Sequence, residues 1–90
     1  MKYFAAFLKM QDLEKNTAYR QQHVDFLTKN EAAGKIFARG RFTGGEGGLV
    51  IYIAGSKEEA LKLAESDPYV ASGARTLDLY EWDMKLPQKS

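Results

Sequence analysis

The chain has 90 residues, 44% of them apolar and 28% charged, with five Phe, five Tyr and one Trp, the composition of one globular domain and not of a disordered segment. Thirteen Lys/Arg against twelve Asp/Glu leave a net charge of +1, which excludes the basic excess that draws a protein to nucleic acid or to an anionic membrane. Cysteine is absent and there is one His, so disulfides, thiolate nucleophiles and Cys- or His-rich metal sites are excluded as well.

Residues 2–9, centred on Tyr3-Phe-Ala-Ala-Phe-Leu8, are apolar on both alternating faces, the pattern of a central strand covered on each side. The run is too short for a secretory leader or a membrane span, so the expected location is the cytoplasm. From about Leu13 or Thr17 to Ala33 there is no Pro or Gly, and Tyr19, His23, Phe26, Leu27 and Asn30 recur at helical spacing along one face. Gly34 supplies the stop. Ile36 to Phe42 reads as a second strand and Leu49 to Ala54 as a third, with Thr43-Gly-Gly-Glu-Gly-Gly48 as the hairpin loop between them. Ser56-Lys-Glu-Glu59 is a capping box that opens a helix to about Ser66. Asp67-Pro-Tyr-Val then starts a short helical turn, with Asp at the N-cap and Pro at the first helical position, closed by Gly73. Thr76 to Met84 is the last strand, and Pro87 to Ser90 a loose tail behind a single domain spanning 1–86.

The order βαββαβ predicts an α+β ferredoxin-like sandwich: two crossover units whose helices lie on one face of a four-stranded antiparallel sheet. The other face then stays uncovered, and strands one and three together with Tyr80 and Trp82 make it apolar. Four strands at their usual spacing and length present roughly 350 Å² in plan, a patch that seldom stays in water. The expected partner is a second copy of the chain, packed face to face in a dimeric α+β barrel with twofold symmetry.

His23 is the one side chain of a type that titrates near neutral pH, and it lies on or beside the helix face that meets the sheet, with Arg20 one turn before it. It reads either as a packed imidazole satisfied by a carbonyl or carboxylate, or as a general acid/base. Asp67 reads as an N-cap, and its second oxygen leaves it free to orient an imidazole too. Spacing alone does not bring positions 23 and 67 together. The glycines at 44, 45, 47 and 48 lack the Lys-Ser/Thr of a phosphate loop and lead into a strand, so they read as a turn. Arg39, Arg41 and Lys9 could favour an anionic ligand near the sheet edge, or simply be solvated. Trp82, Tyr80, Phe4 and Tyr3 read as sheet packing, because the basic residues of an RNA-binding sheet are missing.

Arg20-Gln-Gln-His23, Gly34-Lys-Ile-Phe-Ala-Arg-Gly40 and Asp67-Pro-Tyr-Val-Ala-Ser-Gly73 resemble the YciI-like family over essentially the whole chain. The resemblance implies a ferredoxin-like fold, dimerisation as an α+β barrel, and a catalytic His-Asp dyad matching His23 and Asp67, with Arg20 matching the family Arg one turn before the His. One branch of that family eliminates HCl from a chlorinated hydroxyhydroquinone, and more distant barrel relatives include muconolactone isomerases. Unlike several relatives, this chain has Arg41 after Gly40 where they have Pro, and a short glycine-rich connection to the third strand.

The resulting expectation is a small homodimeric enzyme, a cofactor-independent lyase or isomerase, in which His23 moves a proton beside a carbonyl or phenol and Asp67 holds the imidazole. Arg20, Arg41 and Tyr69 are the candidate ligand contacts, and no metal or organic cofactor is required. A non-catalytic dimer that binds or senses a small metabolite in the same cleft is the alternative. An acylphosphatase-like site is disfavoured, since no loop pairs an Arg with a phosphate cradle.

Overall fold

Alternation along the first strand decides the layering of the molecule. In β1 (Lys2–Met10), Phe4, Ala6 and Leu8 are buried while their neighbours are half-buried or exposed, so even-numbered side chains enter the core and odd-numbered ones meet the opposite face. These observations come from a computed structural model that describes residues 1–88. The chain continues through α1 (Leu13–Ala18), α2 (Arg20–Ala32), β2 (Ile36–Arg41), β3 (Gly47–Ala54), α3 (Lys57–Glu65), α4 (Pro68–Ala71) and β4 (Arg75–Trp82). The sheet order is β2-β3-β1-β4 with every neighbouring pair antiparallel. This is the ferredoxin-like arrangement expected from the element order.

The helices cover one face. Val50, Tyr52 and Ala54 from β3 join Phe4, Ala6 and Leu8 beneath Leu27 of α2 and the small Ala60 and Ala64 of α3, whose lack of bulk lets that helix approach the sheet closely. The opposite face carries Tyr3 edge-on to Phe37 and Phe7 edge-on to Phe42, with ring centroids 5.3 and 5.6 Å apart. Trp82 and Tyr80 extend it at 46% and 61% exposure. Among the described residues no helix is long and apolar enough to cross a membrane.

Beyond shifts of one residue at the ends of β1 and β2, three boundaries differ from the sequence reading. The long first helix is interrupted at Tyr19, whose φ of −102° and ψ of 7° depart from helical geometry; α1 starts at Leu13, where the Asp12 side chain accepts from the Lys15 N–H at 3.1 Å. The third strand begins two residues early because Gly47 and Gly48 pair with Lys9 and Leu8 of β1. A side chain at Gly47 would overlap the Leu8 carbonyl oxygen, and its φ of 132° suits only glycine. The last strand runs from Arg75 to Trp82, since the Met84 N–H turns back to the Trp82 carbonyl at 2.9 Å. Residues 83–88 form neither helix nor strand, and the last two positions of the expected tail, 89 and 90, lie outside the described residues.

Helix ends follow local chemistry. Lys35 and Gly34 donate their N–H groups to Asn30 and Glu31 carbonyls at 2.9 and 3.0 Å, closing α2 with a Schellman motif. Ser56 Oγ accepts from Glu59 N–H at 3.2 Å, while the Glu59 carboxylate reaches back to the Gly55 N–H at 3.2 Å, one residue beyond the usual capping-box partner.

Candidate active site

The break at Tyr19 sets the phase of α2. His23 falls in its first turn, with its N–H donating to the Tyr19 carbonyl at 2.9 Å, and its ring lies on the sheet side, buried together with Leu27 and Asn30. Asp67 comes from the junction of α3 and α4. Its backbone is extended, Pro68 occupies the first helical position, and its Oδ1 accepts from the Tyr69 N–H at 2.9 Å. It is therefore the N-cap that the sequence suggested.

The same carboxylate also meets His23. Nδ1 lies 2.8 Å from Oδ1 and 2.9 Å from Oδ2, across 44 residues of sequence. Asp67 has no exposed surface, and a fully buried carboxylate persists as an anion only with donors around it. Because a carboxylate can only accept, it fixes the proton of a neutral imidazole on Nδ1 and leaves the Nε2 lone pair free. Among the described residues Nε2 has no protein partner, and it is not among the buried unpaired atoms. His23 itself lines a cavity.

The imidazole is clamped from the side. The Tyr69 ring stacks on it with centroids 3.9 Å apart and planes 18° apart, and the Arg75 guanidinium covers the same tyrosine, Cζ lying 4.3 Å from the ring centroid. Arg75 Nε donates to Asn16 Oδ1 at 2.9 Å. Burial holds the Arg75 pKa below its ordinary value, partly offset by Tyr69 and then Asp67. Below the site, Tyr52 is fully buried with its hydroxyl unpaired among the described residues; burial and then the Asp67 charge push that phenol far above its usual range.

These groups border a cavity of about 700 Å³, within the range of small-molecule sites. His23, Tyr69, Arg20 and Arg41 all line it, so the five positions singled out from sequence gather in one place, with Asp67 directly behind the imidazole. Arg39 also lines it, but its guanidinium bonds the Glu31 carboxylate twice at 3.2 Å. Lys9, grouped with these arginines by charge, is not part of the lining. Arg75 and Asn16 are site residues that sequence reasoning missed. The available signal was strand parity: carrying the Leu79, Leu77 alternation back one step puts Arg75 on the covered face. Among the described residues no cluster of three His, Cys, Asp or Glu side chains is placed to share a metal ion.

With this geometry in hand, comparison with known proteins is informative. The YCII-related domain family matches residues 1–83. The chain belongs to that family. A relative within it, the uncharacterised protein YjpA of Bacillus subtilis (strain 168), is 32% identical over 83 residues, covering 92% of this chain and 98% of its own. Among solved structures, the 5-chloro-2-hydroxyhydroquinone dehydrochlorinase TftG of Burkholderia phenoliruptrix AC1100, in complex with 2,5-dihydroxybenzoquinone, superposes with a TM-score of 0.79. At 21% identity, over 92% of this chain and 95% of that one, it establishes a shared fold. The family resemblance read from the Arg-Gln-Gln-His and Asp-Pro-Tyr-Val segments is borne out, and this YCII-related chain carries its imidazole and carboxylate on those two segments.

Proposed function

We infer that the cavity is an acid/base site in which His23 moves a proton at a carbon next to a carbonyl or phenol, in an elimination or an isomerisation. The observation that carries this reading is the contact of His23 Nδ1 with both oxygens of a fully buried Asp67. It leaves Nε2 as the base. Nε2 takes the proton, the C–H electron pair passes into the conjugated carbonyl, and the oxygen becomes an enolate, or a phenolate where the substrate is the keto tautomer of a phenol. Asp67 stabilises the imidazolium, and Arg20 or Arg41 steadies the new oxyanion. Return of the proton to a different carbon completes an isomerisation, whereas departure of a leaving group with its own bonding pair, as the enolate pair returns to form the new C=C bond, completes an elimination. The dehydrochlorination named for the structural neighbour is a reaction of this class, which supports the choice.

The working unit in this reading is a homodimer closed by the aromatic sheet face, with a small-molecule ligand as the other partner. The chemistry needs no cofactor, and a cytoplasmic location suits it. The experiment is ligand-dependent exchange of carbon-bound hydrogen in D₂O, followed by NMR with a panel of small keto acids and phenols. General acid/base catalysis is worth about 10²–10⁴-fold, so His23→Gln should lower exchange by that order while the fold, read by circular dichroism, persists. A His23→Gln protein that exchanges at the wild-type rate contradicts the reading. Wild-type protein that binds a panel member without exchange or turnover favours a non-catalytic binder.

A further inference from the structure

The cavity wall is asymmetric in charge. His23, Arg20, Arg39, Arg41 and Arg75 line it, and no Asp or Glu does. Arg39 is neutralised by Glu31, and Arg20 and Arg41 are exposed at the rim, where water screens them. Arg75 differs from all three. It is half-buried, no carboxylate lies within ion-pair distance of it among the described residues, and its one hydrogen bond there, from Nε to Asn16, leaves both terminal nitrogens unused. Holding a half-buried cation with no carboxylate directly paired to it is costly, and here it is held in a fixed pose, stacked on Tyr69 and tethered by Asn16.

Space has been kept for that pose. A Cβ at Gly48 would stand 3.1 Å from Arg75 Nη1 and 2.8 Å from the Gly40 carbonyl oxygen, so glycine at 48 is what admits the guanidinium between β3 and the cavity. The stack His23, Tyr69, Arg75 then places a proton-accepting nitrogen and an unpaired two-pronged donor on either side of one tyrosine ring, facing the same cavity. Paired N–H groups of this kind match the two oxygens of a carboxylate.

We propose that Arg75 is the specificity-determining residue of the cavity and that the ligand is a small organic acid, its carboxylate held by the Arg75 terminal nitrogens while its acidic carbon faces His23. This deepens the proton-transfer reading and rests on it for the role of the cavity, but the charge preference is separable from the chemistry. Arg75 contributes binding and orientation, and His23 the proton transfer.

The test uses two probes of the same shape, 2,5-dihydroxybenzoate and 2,5-dihydroxybenzamide, with binding measured by titration calorimetry. Wild type should prefer the acid by roughly tenfold or more, as a charge-assisted bond to a half-buried cation allows. Arg75→Met should abolish the preference, and Arg20→Gln or Arg41→Gln should reduce it less. His23→Gln should keep the preference while losing hydrogen exchange, so failure of the proton-transfer reading and failure of this one are read in different columns. A second measurement needs no variant: the Arg75 guanidinium NMR signals in wild type should shift with the acid and not with the amide. Equal affinity for the two probes, no binding of either, a preference that survives Arg75→Met, or guanidinium signals indifferent to the acid would each overturn the proposal.

Discussion

Asp67 occupies a place where a carboxylate is expensive to keep, with none of its surface exposed. The Tyr69 N–H and the His23 ring offset that cost, which is how one residue serves as helix cap and imidazole anchor together. In Asp67→Asn the amide can donate to Nδ1 and so favour the imidazole protonated on Nε2, the wrong form for a base. The expected outcome is a loss of exchange activity of about 10²-fold or more with binding of ligand retained, read as a fall in kcat with little change in KM. Tyr52 gives a stability prediction of opposite sign. Its buried hydroxyl lacks a partner among the described residues, so Tyr52→Phe should raise unfolding free energy by about 1 kcal/mol. Folding raises the phenol pKa, so the unfolded chain ionises first: the contribution of this group is intact below about pH 10 and is lost as pH rises beyond it. Urea midpoints of Tyr52→Phe should therefore fall less steeply than those of wild type above that pH. At this scale the sequence displayed the right residue types, but not the pairing of positions 44 apart, since contact across that distance is set by the tertiary fold. Arg75 was hidden by a strand boundary drawn one residue late.

At the scale of elements, what could be read was whatever local chemistry dictates. The order of strands and helices, the Ser56 cap, the Asp67-Pro68 start and the Gly34 stop all follow from side chains acting within a few residues of themselves. The break at Tyr19 had no such signal, because neither Pro nor Gly marks it; it decides the phase that turns His23 inward. The start of β3 was equally hidden, since Gly47 and Gly48 are weak strand formers and enter the sheet through their β1 partners. Their tolerance to substitution should differ. Gly47→Ala combines a positive φ with overlap on backbone that cannot move aside, so it should prevent folding or cost well over about 3 kcal/mol. Gly48→Ala meets the Gly40 carbonyl and the terminal Nη1 of Arg75 and should cost about 1–3 kcal/mol, with acid binding weakened as the guanidinium is displaced from its stack on Tyr69. Chemical denaturation of both variants checks the ranking.

For the whole molecule, one sheet face is buried under helices and the other is aromatic and open. The residues of β1 and β3 make this legible in the sequence, because both alternating faces of both strands are apolar. Apolar surface of this kind is covered by association in most soluble proteins. The proposed homodimer predicts that Trp82→Glu, at a position 46% exposed and at the end of β4 opposite Arg75, shifts the chain to monomer in light scattering while its circular dichroism is retained. A wild-type chain that is monomeric at all concentrations would remove the barrel from the account. The cavity wall combines Leu8, Val50 and Leu27 of the covered face with Phe42 and Leu49, and His23 and Asp67 meet within one chain.

The central claim is that Asp67 fixes the His23 proton on Nδ1 and leaves Nε2 as the base. The most direct measurement is a long-range ¹H–¹⁵N correlation spectrum of the single histidine, taken at a pH where its ring is neutral. The geometry predicts the Nδ1–H form alone, with a bare Nε2 whose resonance moves when ligand binds, and loss of that fixed form in Asp67→Asn. An imidazole protonated on Nε2, or one averaging freely between both forms in the wild-type protein, would contradict the account.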